Sequence, residues 1–81
     1  MEKVIKYIVR ASNSYKNFSL EFDNLHDAEV SVKAIHKTNE TLLESHQPSL
    51  CFSGYVTEWI GYKLNRRSWV TESNKVVLPF N

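Results

Sequence analysis

The stretch Asn17–Lys37, NFSLEFDNLHDAEVSVKAIHK, changes its hydrophobic period at Asn24, and that change decides the fold. Before it, Phe18, Leu20 and Phe22 alternate with Asn17, Ser19, Glu21 and Asp23, the period of a strand with one apolar face. After it, Leu25, Ala28, Val32, Ile35, Asn39 and Leu42 fall at three- and four-residue steps, the stripe of an amphipathic helix. Asn24 suits the N-cap because its side-chain oxygen accepts a free backbone N–H, and Asp27 and Glu29 favour the positive end of the helix dipole. The helix is expected from Leu25 to at least Lys37 and as far as Ser45, with Pro48 as its limit.

Working outward, Lys3–Ala11 also alternates, with Ile5, Tyr7, Val9 and Ala11 on one side and Val4, Lys6, Ile8 and Arg10 on the other. Ser12-Asn13-Ser14 supplies a turn, so a β-hairpin precedes the helix. Beyond the helix, Ser49–Phe52 reads as a short apolar strand and Ser53-Gly54 as a turn. Val56, Ile60, Tyr62 and Leu64 then interleave with Thr57, Trp59, Gly61 and Lys63. A turn at Asn65-Arg66-Arg67 leads into a strand at Ser68–Thr71, and Val76–Phe80 adds an edge strand or packs as a tail. The order is ββαβββ: one α+β domain over residues 1–81, an antiparallel sheet with one helix across one face.

Composition narrows the function classes. Hydrophobic residues make up 42% of the 81, enough for one core, and two glycines with two prolines leave no room for a flexible linker. The single cysteine, Cys51, excludes an internal disulfide and fits a reducing, cytoplasmic setting. Charges interrupt every apolar run near the start, so no signal peptide or membrane span is expected there. His26, His36 and His46 stand ten residues apart, a rotation of about 80° on a helix, and do not converge. With one thiol and no phosphate-cradling glycine loop, neither a metal, a cofactor nor a catalytic centre is expected.

What remains is surface. A sheet with one helix leaves its second face uncovered, and the residues pointing there are Val4, Lys6, Ile8, Arg10, Thr57, Trp59 and Lys63. An outward tryptophan among cations matches an interaction surface, and Arg66 and Arg67 at a hairpin tip extend its charge. The bland explanation is that Val4, Ile8 and Trp59 pack against Val76–Phe80. The net charge of +1 is divided along the chain: +3 over residues 1–16, −5 over 17–58 and +3 over 59–81. Asp27, Glu29, Glu40 and Glu44 therefore offer a competing, acidic surface on the helix. An open sheet with aromatics and cations also suits a regulator that binds single-stranded RNA or DNA, although +1 is low for one.

The hairpin Trp59-Ile60-Gly61-Tyr62-Lys63-Leu64-Asn65-Arg66-Arg67-Ser68-Trp69-Val70 resembles the C-terminal hairpin of a type I-F anti-CRISPR protein family from phages and mobile elements. Lys6–Arg10 and the passage from Phe18 to Ala28 are similar to that family's opening, and Asn39–Pro48 stands as an insertion. The resemblance implies a small monomeric inhibitor in the host cytoplasm that occupies a CRISPR effector, or another defence nuclease, and obstructs target DNA. It carries Lys63, Arg66 and Arg67 as partner-binding residues. The open sheet adds Lys6, Arg10 and Trp59.

Overall fold

A computed structural model describes residues 2–80 as β1 (Glu2–Ser12), β2 (Asn17–Phe22), α1 (Leu25–Glu44), a 3₁₀ turn (Pro48–Leu50), β3 (Ser53–Lys63) and β4 (Trp69–Phe80). The strands form one antiparallel sheet in the order β2-β1-β3-β4. The fold is α+β with a single helix on one sheet face, as the change of period predicts. The α1 start is where the sequence places it: Asn24 Oδ1 accepts the Asp27 amide at 2.9 Å. At the other end the amide of Gln47 donates to Leu42 and that of His46 to Leu43, at 2.8 and 3.0 Å. These two bonds use up carbonyls of the last turn. They need His46 in the left-handed region, at φ 58°.

Two details of the expected strand order differ. Ser49–Phe52 is not a strand: Pro48–Leu50 winds as a 3₁₀ turn, and Cys51-Phe52 runs as an extended connection into β3. The cause lies in Asn39, which is only 6% exposed on the apolar stripe of α1. Its amide donates to the Phe52 carbonyl and accepts the Phe52 amide, both at 2.8 Å. Phe52 thus spends its backbone groups on a side chain and has none left for a ladder. Second, Ser68–Thr71 and Val76–Phe80 are parts of one twelve-residue strand, β4, so the order is ββαββ. The polar run Glu72–Lys75 between them stays exposed, and pairing with β3 continues through it across two register shifts.

The core is small and lies to one side. Val9, Ala11 and Val56 from the middle strands, Ala28, Val32 and Ile35 from α1, and Phe80 are buried together. Phe18 and Phe52 close one flank edge to face, ring centroids 5.3 Å apart. Helix α1 begins beside the end of β2, opposite Tyr7, and runs toward the Ala11 end of the sheet, touching β1, β2 and the 3₁₀ turn. It leaves the other half of its own face bare, where Ile5 and Val70 are 42% and 48% exposed. The radius of gyration is 14.8 Å, against about 12 Å for a compact domain of this length, because the β3–β4 hairpin projects past the helix.

At the border between the covered and bare halves, the Tyr7 hydroxyl donates to Glu58 Oε2 at 2.8 Å. That hydrogen bond, aided by burial and by the Glu58 charge, pushes the Tyr7 pKa above its ordinary 10.0. The neutral phenol is thus favoured by folding. Its contribution is complete below pH 10.0 and fades as pH rises through the shifted value.

Replacing Asn39 by Leu keeps the stripe apolar but strips Phe52 of both partners. Urea unfolding is expected to show a loss of about 1–3 kcal/mol with an unchanged slope. An unaltered midpoint would show that the Asn39 clamp does not hold the connection.

Candidate protein-interaction face

Which side chains reach the bare face follows from register. Lys6 lies opposite Trp59, Ile8 opposite Thr57, Arg10 opposite Tyr55, and Glu2 opposite Lys63. Because Val9 and Val56 are opposite one another in the core, every one of these neighbouring pairs points away from the helix. The face expected from alternation is the face observed. The C-terminal segment does not cover it, since Val76–Phe80 lies in the plane of the sheet as part of β4.

Its centre is built around Gly61. Trp69 stands beside Lys63 in the β3–β4 ladder, and its indole lies over Gly61, so that a Cβ at position 61 would collide with the indole and with the Val70 carbonyl. An aromatic side chain laid over a strand glycine restores the contact the glycine lacks. The Trp69 Nε1–H is buried there and finds no hydrogen-bond partner among the described residues. The Lys6 ammonium lies over the same ring, 4.6 Å from the centroid. The same ammonium is 3.0 Å from Glu21 Oε1 on β2. Both contacts are partly exposed, so each contributes on the order of 1 kcal/mol or less. Together they fix a row Glu21–Lys6–Trp69 that crosses all four strands. Trp59 is fixed too: its indole N–H donates to Thr57 Oγ1 at 2.7 Å.

The expected residues separate into two groups. Lys6, Lys63, Arg66 and Arg67 gather around one depression of about 370 Å³, which Glu2, Asp23 and Trp69 also line. The turn that presents the arginines is held by Asn65, whose Oδ1 accepts the amides of Arg67 and Ser68, both at 2.9 Å. Arg10 stands four residues along β1 from Lys6, about 13 Å away. It borders a separate hollow of about 420 Å³ with Asn17, Ser19 and Tyr55. Trp59 sits beside Lys6, partly buried. Four participants were not singled out from the sequence: Trp69, Glu2, Glu21 and Asp23. Alternation alone puts Glu21 and Asp23 on a polar strand face, and only the sheet order shows that this face continues the one carrying Lys6. For Trp69 the available signal was Gly61, a lone glycine inside a strand pattern.

Among the described residues, no three histidine, cysteine, aspartate or glutamate side chains stand close enough to hold a metal ion. No helix of the described chain is long and apolar enough to cross a membrane. Asp27, Glu29, Glu40 and Glu44 are all exposed on α1, away from the Trp69 row. Compared with known proteins, the chain matches no family model, no curated protein and no solved structure.

Gly61→Ala is expected to lift Trp69 off the sheet. Tryptophan emission should shift to the red and stability should fall by about 1–3 kcal/mol, the usual range for an overpacked site. Unchanged emission and stability would mean that Trp69 does not rest on Gly61.

Proposed function

We propose that the chain is a non-catalytic binding protein that engages another protein through the helix-free sheet face and, in keeping with its resemblance to the anti-CRISPR family, inhibits a nucleic-acid-processing defence complex in the cytoplasm of a host cell. One observation carries the first part: β4 extends the sheet instead of folding over it, so a row of tryptophan, lysine and arginine side chains stays uncovered in a chain this small. Trp and Arg are the side chains most enriched among residues that dominate binding energies.

The charge arrangement favours a protein partner over free nucleic acid. Glu2, Glu21 and Asp23 lie among the cations of the same face, and a polyanion would be repelled by all three. Lys6, the central cation, is already engaged by Glu21 and by the Trp69 ring. The Trp69 ring rests on Gly61 and already has that ammonium over it, so a base would have to displace Lys6 to stack there. A surface with interspersed signs suits a protein carrying both acidic and basic groups. Arg66 and Arg67, free at the tip, then supply the charge that orients it.

The test is affinity capture of the tagged chain from nuclease-treated host lysate, together with plasmid transformation into cells with an active type I-F system. The chain is expected to recover one protein assembly at near-equal stoichiometry and to restore transformation. Trp59→Ala is expected to weaken the complex about 30-fold, the scale of a residue worth about 2 kcal/mol. Arg66→Glu with Arg67→Glu is expected to slow association most at low salt. Recovery of nucleic acid alone, lost on nuclease treatment, would replace this reading with a single-strand-binding regulator.

A further inference from the structure

Strand β1 has eleven residues, but β2 pairs only with Tyr7–Ser12. Along Glu2–Lys6, β1 is bonded to β3 on one side and, among the described residues, meets no strand on the other. Unpaired strand edges are sites of pairing with another chain unless they are blunted. The other edges here are: β4 carries Pro79, Lys75 and two register shifts, and β2 is only six residues long. Glu2–Lys6 has neither a proline nor a bulge; its charges, Glu2, Lys3 and Lys6, are of both signs and can pair with their own kind of edge, and it holds the β-branched Val4 and Ile5.

We propose that this edge pairs with the same edge of a second copy, antiparallel about a two-fold axis through Val4. The charges select this arrangement. Pairing about Val4 sets Glu2 opposite Lys6 of the second copy, twice, and Val4 opposite Val4. Shifting the register by two residues in one direction sets Lys3 against Lys3. Shifting it in the other direction drives the second copy into the lane that β2 occupies from Tyr7 onward. An odd shift would turn one copy's helix to the opposite side of the joint sheet. The five free residues are thus filled end to end by the one register whose ion pairs are complementary. The axis also carries the β3–β4 turn of each copy to the outer edge of β2 in the other, because Lys63 is level with Glu2. The axis stands normal to the sheet, so both helix-free faces point the same way and stay uncovered. The monomer expected from the sequence is replaced by an isologous dimer with one continuous face.

Light scattering on the isolated chain tests this without reference to the binding partner. The wild-type chain is expected at twice its 9.5 kDa. E2K alone and K6E alone should each be monomeric, since each sets like charges across the axis. An equimolar mixture of E2K and K6E should regain the doubled mass, because every opposed pair is then complementary. Val4→Cys in a Cys51→Ser background should oxidise to a covalent dimer, and Ile8→Cys in the same background should not. A wild-type chain that stays at 9.5 kDa to the limit of solubility, single variants that keep the doubled mass, or a Val4→Cys chain that does not cross-link would each overturn the proposal.

Discussion

One helix of 20 residues is all this chain has to cover a sheet whose three longest strands have 11, 11 and 12. A helix of that length spans about 30 Å, and it is set over one end of the sheet by the short passage between Phe22 and Leu25. Burial is therefore concentrated where β1 and β3 face α1, at Val9, Ala11 and Val56. Everything beyond Tyr7 on the helix side, and the whole of the other side, must be stabilised by cross-strand contacts or left for another molecule. The position of the bare face, where we place the partner, follows from this shortage of cover.

The chain answers the shortage with lateral packing. Trp69 over Gly61, Lys6 over Trp69 and Glu21 beside Lys6 make a polar-aromatic row that closes the exposed sheet without a second layer. Trp59, held along its own strand by Thr57, adds a second fixed ring to the same face. These contacts hold large side chains in fixed positions, which lowers the entropy a partner must remove on binding. The rigidity that stabilises a bare sheet would also suit it to the recognition we propose.

Much of this was legible in the residues because both periods are strong. The switch at Asn24 located the hairpin, the cap and the helix, and strict alternation in β1 and β3 put Lys6, Arg10, Trp59 and Lys63 on the correct face. The errors have specific causes. Ser49–Phe52 is apolar enough for a strand, but its backbone is taken by Asn39, a polar residue visible in the apolar stripe whose partner only the folded chain supplies. Glu72–Lys75 reads as a break because an edge strand that is exposed on both faces carries no apolar alternation. Trp69 was hidden for a related reason: its place depends on the β3–β4 register, and the lone Gly61 marks the seat without naming the side chain that fills it.

We place the partner on the helix-free face of the sheet. Hydroxyl-radical footprinting of the chain in its captured complex, against the chain alone, reads side chains individually and so separates the two faces. Protection of Trp59, Trp69 and Tyr55 with Val30, His36 and Leu43 on α1 unchanged is the predicted result. Protection of the α1 side chains with both tryptophans as reactive as in the free chain would contradict the account and move the binding surface to the helix.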